Sequence, residues 1–187
     1  MKRAPLADRG GGRDRGPDRD AALAQYRARA GVYDLELALF EPIRRLAIER
    51  LAMQTGETVV DFGCGTGLSL PLLRAAVGAS GRVVGVEQSP EMLERARQRV
   101  AAQRWRNVEL ICAPAESLSL DVAAAWRGKA DAALFHFTHD LLQRPEAVES
   151  ALGHLRRGAR VVATGLRWAP RWALAVMLRC IWPRDAR

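Results

Sequence analysis

An α/β fold, a parallel sheet with helices on both faces, is what this sequence predicts, and three observations predict it. From Thr58 onward, short β-rich runs alternate with helical segments. A glycine loop, Asp61-Phe62-Gly63-Cys64-Gly65-Thr66-Gly67, divides the first of those strands from the helix that follows. A second strand ends on an acidic residue, Glu87, 20 residues beyond Gly67. With 187 residues, 49% of them apolar, the chain can bury one core of ordinary size and is too short for two comfortable domains.

Residues 1–20 mix Arg, Asp, Gly and Pro without apolar periodicity, so no burial offsets the entropy of ordering them, and a disordered tail is expected. From Ala21 the pattern turns helical, with Leu35, Leu39, Ile43, Leu46 and Ile48 spaced for one buried face and Pro42 dividing two helices. The first strand is Thr58 to Phe62, and a helix from Leu68 to Val77 closes at the Gly78-Ala79-Ser80-Gly81 turn. Arg82 to Glu87 is the second strand. Ser89 then caps a helix that carries Pro90 at its first position. The alternation continues with a strand at Val108 to Ala113, a helix around Val122 to Trp126 and a strand at Ala130 to Phe137. A helix from Pro145 to Leu155, ended by Gly158, precedes the strand Arg160 to Thr164. Such strands are buried on both faces, which calls for a parallel sheet.

Composition narrows the function classes. The apolar runs are far shorter than the roughly 20 residues of a membrane-spanning helix, and the charged N-terminus lacks the apolar stretch of a secretory signal. Cys64, Cys112 and Cys180 are odd in number and widely spaced, without a C-x-x-C pair for zinc or a disulfide framework. A cytoplasmic location is expected, and no metal is implied. The net charge of +8 rests almost wholly on Arg, since Lys2 and Lys129 are the only lysines. It divides as +2 over residues 1–20, −1 over 21–155 and +7 over 156–187, so the body is nearly neutral and a nucleic-acid partner is not expected.

The loop has a physical purpose at the carboxyl end of a parallel strand, because glycine turns through positive φ and lets a ligand approach the backbone. A dinucleotide fingerprint would need Gly at position 68, where Leu68 stands, and a P-loop would need a Lys, which the loop lacks. Val59-Val60-Asp61-Phe62-Gly63-Cys64-Gly65-Thr66-Gly67 resembles motif I of class I S-adenosylmethionine-dependent methyltransferases. Gln88-Ser89-Pro90-Glu91-Met92-Leu93 resembles the stretch after the family's second strand, and Leu155-Arg156-Arg157-Gly158-Ala159-Arg160 its turn before strand five.

The resemblance covers about residues 55–165 and implies a Rossmann-like domain, here residues 55–167, with S-adenosylmethionine as cofactor. It assigns Asp61 to the cofactor's amine, Glu87 to the ribose hydroxyls and Met92 to the neighbourhood of the adenine. Gly63, Cys64, Gly65, Thr66, Gly67 and Gln88 complete the expected cradle, with Cys64 read as a small residue between glycines. Ala113-Pro114-Ala115-Glu116 stands where the family has Gly-Asp-Ala, leaving Ala115 and Glu116 to substitute at the adenine. It further implies that residues 21–54 form a helical lid in which Tyr33, of the pair Tyr33-Asp34, packs over the cofactor; Tyr26 and Tyr33 read equally as helix-packing aromatics. The family's closing antiparallel hairpin, strands six and seven, has no counterpart, because one hydrophobic, basic helix-like segment, 168–187, follows strand five.

Methyl transfer needs positioning and exclusion of water, and a general base only for some acceptors. His136, His139 and Asp140, beyond the fourth strand, are the candidates; His136 also falls where it would touch the cofactor, and a structural histidine is the alternative. His154 reads as a solvated surface residue. The layout is similar to that of bacterial quinone-type and phospholipid-type methyltransferases, which implies a small-molecule or lipid acceptor. Residues 168–187 then read as a substrate lid or as a peripheral membrane contact. RNA or protein methylation, suggested by the basic end, and a non-catalytic cofactor-binding domain are the alternatives; His136-Phe137-Thr138-His139 is not an N-P-P-Y-type tetrapeptide.

Overall fold

The computed structural model describes residues 40–118, 126 and 128–165. The expected tail, most of the lid with Tyr26 and Tyr33, residues 122–125 and the segment 168–187 lie outside the described residues.

Helix α1 spans Glu41–Arg50, with Pro42 in its first turn, where a missing N–H costs nothing. Its buried face is Arg44, Ala47 and Ile48, continued by Leu51, an i, i+3, i+4, i+7 stripe. This corrects the expected face: Ile43 and Leu46 are 40% and 51% exposed. Hydropathy alone passes over Arg44, a guanidinium that leads the stripe because acidic groups face it at the carboxyl end of the sheet.

The rest of the chain alternates as expected. Strand β1 (Thr58–Phe62) leads to α2 (Leu70–Val77), β2 (Arg82–Glu87), α3 (Pro90–Ala102) and β3 (Val108–Cys112). After a short 3₁₀ turn at Ala115–Ser117 come β4 (Ala130–His136), α4 (His139–Leu142), α5 (Pro145–Gly153) and β5 (Leu155–Thr164). Ser89 caps α3 by accepting from the Met92 amide. Asn107 pins the turn before β2: its Nδ2 donates to Gly78 O and Gly81 O, both at 2.9 Å, and its Oδ1 accepts from Arg74 Nε at 3.2 Å.

The five strands are all parallel in the order β3-β2-β1-β4-β5. The direction in which successive strands are added reverses between β1 and β4, so a crevice opens at their carboxyl ends, where doubly wound sheets bind ligands. Period-two alternation sorts the core. Val59, Val83, Ala132 and Leu134 meet Ala47, Leu51, Leu73 and Leu93 from α1, α2 and α3. Val60, Phe62, Val84, Val86, Ala133 and Phe135 face the opposite layer, with Trp126, Leu141, Ala147 and Ala151. By the same parity Asp61 and His136 lie on the face that α1 covers.

Two expectations at the end of the chain are corrected. Helix α5 closes at Gly153 rather than running to Leu155 and Gly158, and β5 already includes both. Ala130 pairs with Leu155 but Ala132 with Arg160, so the intervening residues bulge, and Gly158 supplies the positive φ of 76° inside that bulge. His154 is not solvated: it is 3% exposed, its ring 4.9 Å from that of Trp126, and its carbonyl accepts from the Gly128 amide at 2.8 Å. Among the described residues no antiparallel strand follows β5, and no helix is long and apolar enough to cross a membrane.

Candidate functional site

The loop after β1 is held from below by β2: Gly63 N and Cys64 N both donate to Val86 O, at 2.7 and 3.0 Å. Gly63 has φ 75°, and a Cβ built there would lie 2.3 Å from Thr138 Cγ2. Glycine is thus needed where the loop meets the segment after β4. The Cys64 side chain turns into the core over Gly85, whose missing Cβ leaves it room. Burial, with Asp61 and Glu87 nearby, pushes the Cys64 thiol up, so it is a packing group rather than a nucleophile.

Glu87 ends β2 and ties two elements together. Its Oε2 accepts from Gly65 N at 3.0 Å and its Oε1 from Ser89 N at 2.8 Å, joining the glycine loop to the start of α3. Burial raises the pKa of its carboxyl, against the pull of those amides.

Asp61, 1% exposed, is the other acid, and its Oδ2 is buried without a hydrogen-bond partner. Burial raises its pKa to about 7; Arg44 opposes the shift and Glu87 adds to it. An acid in that condition is expensive in isolation and is poised for a cationic partner.

Two cavities meet at this loop. The larger, about 580 Å³, is lined by Glu87, Gln88 and Met92 from the β2 side, by Ala113 and Ala115 after β3, and by Thr138, Asp140, Leu141 and Arg144 after β4. The smaller, about 330 Å³, is lined by Arg44, Asp61, Cys64, Thr66 and Ser69. Gly63, Gly65, His136 and Phe137 border both, so the two form one cleft, with Asp61 and Arg44 in its smaller part and an apolar wall of Val86, Met92, Ala113, Ala115 and Leu141 beside Glu87 and Asp140 in its larger part.

His136 closes β4. Its Nδ1 lies 2.6 Å from Thr164 Oγ1, and its Nε2 is buried without a hydrogen-bond partner. Burial, reinforced by Arg44, lowers its pKa to about 4, so the ring is neutral near pH 7. Phe137 takes φ 58°, which costs an aromatic residue about 1–2 kcal/mol. That backbone stacks its ring edge-on to Phe40, 5.2 Å away, and against His136, 4.4 Å away.

The structure therefore brings Asp61, Gly63, Cys64, Gly65, Thr66, Glu87, Gln88, Met92, Ala115, His136 and Asp140 to the cleft. His139 is exposed and lines neither cavity. Glu116 is paired with Arg144 at 2.6 Å and is not among the lining residues. Gly67 packs against Leu70 and Ala96 in the turn into α2. Sequence reasoning missed Arg44, Phe137, Thr138 and Arg144. For Arg44 the available signal was its place at the head of the Ala47, Ile48, Leu51 stripe.

Comparison with known proteins follows the same outline. The chain is 35% identical over 89 residues, 47% of its length and 40% of the relative's, to the aklanonic acid methyltransferase DauC of a Streptomyces species. It is 52% identical over 66 residues, 35% of its length and 14% of the relative's, to the 23S rRNA (uracil(1939)-C(5))-methyltransferase RlmD of Acinetobacter baylyi. These relatives act on different acceptors, so the neutral body does not count against nucleic acid as the sequence suggested. The chain spans no more than 40% of the length of such curated relatives. Its fold is shared with a SAM-dependent methyltransferase from Aquifex aeolicus, at a TM-score of 0.56, 22% identity, and coverage of 77% of this chain and 81% of that one. Matched over residues 59–159, more than half its length, the chain belongs to the methyltransferase domain family, whose cofactor is S-adenosylmethionine.

Proposed function

We propose that the cleft holds S-adenosylmethionine and that the chain transfers its methyl group to a small or lipophilic acceptor. The observation that carries this is the division of the cleft: a buried acid with an unpartnered oxygen, Asp61, lines the smaller part, and an apolar wall around Met92, with Glu87 beside it, lines the larger part. Those parts match the polar and aromatic ends of the cofactor. When bound, the cofactor supplies an electrophilic methyl group on a sulfonium sulfur.

Asp61 Oδ2 would receive the cofactor's ammonium, an interaction that compensates its burial. Glu87 accepts the Gly65 and Ser89 amides and would offer its remaining acceptor capacity to a ribose hydroxyl. Val86, Met92, Ala113, Ala115 and Leu141 would flank the purine, and Gln88 Oε1, buried without a hydrogen-bond partner, is the lining acceptor for its amine. Gly63, Gly65 and Thr66 shape the passage between the two parts. Glu116 acts here by fixing Arg144 at the rim of the cavity.

In the neutral tautomer that carries its proton on Nδ1, hydrogen-bonded to Thr164 Oγ1, His136 would present Nε2 as an acceptor beside the transfer site. A pKa of about 4 makes it a weak base. It therefore suits an acceptor that is itself acidic, such as a phenol or an activated carbon acid, and orients that acceptor's proton. Asp140 lines the same cavity and is the second candidate for the proton. The aromatic pair Phe40–Phe137 offers an apolar surface to such a molecule.

A methyl-labelled cofactor incubated with a panel of aromatic polyketide-type phenols, lipids and 23S rRNA tests the proposal. Label in a small acceptor is the expected result. Label in the rRNA alone would replace the small-acceptor assignment with an rRNA one, as the name of the RlmD relative suggests.

A further inference from the structure

The smaller cavity is lined by two groups of opposite sign that each keep an unpartnered atom. Arg44, on the buried face of α1, is 2% exposed, and its guanidinium lines the cavity together with Asp61. Its Nη1 is committed to Glu41 Oε2 in the same helix, but its Nε is buried without a hydrogen-bond partner. Glu41 is 36% exposed at its side chain and shares its other oxygen with Arg45 at 3.0 Å, so it supplies only part of what a buried guanidinium requires. In the same cavity Asp61 Oδ2 is likewise buried and unpartnered.

Two buried groups of opposite sign, each with an open hydrogen-bonding atom, would ordinarily close into an ion pair. Here both line one cavity, and Arg44 Nε and Asp61 Oδ2 remain without a hydrogen-bond partner. An open donor and an open acceptor that line one cavity without pairing form a receptor for a zwitterion. Building on the proposed function, we propose that Arg44 is the receptor for the α-carboxylate of the cofactor's methionine portion, with the ammonium site at Asp61 in the same cavity.

Its placement has a second consequence. Arg44 belongs to α1, outside the matched family segment 59–159, and α1 packs on β4, β5 and α2. A carboxylate held there joins α1 to the loop after β1 through the ligand itself. His136 borders the same cavity with a neutral ring, which keeps Arg44 the dominant positive charge facing it. Ser69 and Thr66, both buried, line the remaining wall and would complete the polar shell.

The test is binding, read by calorimetry on the whole chain, of S-adenosylmethionine, decarboxylated S-adenosylmethionine and 5′-methylthioadenosine. A charge-assisted hydrogen bond to a buried guanidinium predicts that decarboxylation weakens binding by about 10- to 100-fold. In Arg44→Gln, S-adenosylmethionine should lose a similar factor, while the decarboxylated compound and methylthioadenosine stay within about twofold of their wild-type values. Arg44→Lys, which keeps the charge but removes Nε, should fall between. Circular dichroism establishes that each variant is folded. If neither variant folds, the comparison of ligands on the wild-type protein decides, and equal affinity with and without the carboxylate overturns the assignment. Equal weakening of all three ligands in a folded Arg44→Gln also overturns it, because Arg44 then acts only as scaffold. Methylthioadenosine that binds while Arg44→Gln changes nothing refutes the carboxylate site and leaves the cofactor assignment standing. Failure of every ligand to bind wild-type protein refutes both.

Discussion

Replacing Gly63 with Ala places a methyl group into the contact that joins the cofactor loop to the segment after β4. The added Cβ would stand 2.3 Å from Thr138 Cγ2 and 3.4 Å from Thr138 Cβ, at a backbone φ of 75°. The left-handed conformation costs an alanine about 1–2 kcal/mol. Overpacking against a buried threonine costs about 1–3 kcal/mol more. The expected loss is therefore about 2–5 kcal/mol, read from the midpoint of urea unfolding at constant slope. Only the second part involves Thr138, so Thr138→Ser in the Gly63→Ala background should return about 1–3 kcal/mol and leave the backbone penalty in place. Thr138→Ser alone should cost about 0.5–1.5 kcal/mol through the lost methyl. If the two substitutions add to within about 0.5 kcal/mol, the steric contact is not what excludes a side chain at position 63.

Asp61 makes stability depend on pH in a direction opposite to the usual buried carboxylate in an ion pair. Its pKa in the fold is about 7 against an ordinary value of 3.8, so the stability linked to its protonated form is complete below about pH 4 and is lost as pH rises through 7. Three units correspond to about 4 kcal/mol as an upper figure. Relative to wild type without ligand, Asp61→Asn should gain stability between pH 5 and 8 and little below pH 4; a difference between the two proteins that is flat in pH would refute the assignment. Asn107→Ala removes three hydrogen bonds around the turn before β2 and should cost about 2–3 kcal/mol in chemical unfolding, whereas a change below about 0.5 kcal/mol would show the turn to be self-supporting.

How much of this was legible in the sequence depends on whether local chemistry or distant packing decides each element. The β1 strand, its glycine loop and the Ser89–Pro90 start of α3 are local: φ preferences, capping and period-two burial fix them within a few residues. Glu87 could be placed because the family resemblance puts an acid at the end of the second strand, about 20 residues beyond the loop. Arg44 could not, since its burial depends on Asp61 and on the end of β4, far away in the chain. Hydropathy therefore rotated the expected face of α1 toward Ile43 and Leu46. The bulge in β5 escaped notice for a related reason. Gly158 signals a positive φ, which suits a helix end and a strand bulge equally, and the choice follows from the pairing of Leu155 with Ala130. His154 read as surface because only the fold puts it against Trp126.

The central claim is that the cleft around Asp61 and Glu87 binds the cofactor, and calorimetric titration with S-adenosylhomocysteine at pH 6 in buffers of different ionisation enthalpy tests it most directly. The account predicts saturable one-site binding that Asp61→Ala abolishes, with a proton released as Asp61 gains its ammonium partner. A folded chain that binds nothing, or that binds equally well without Asp61, would contradict it.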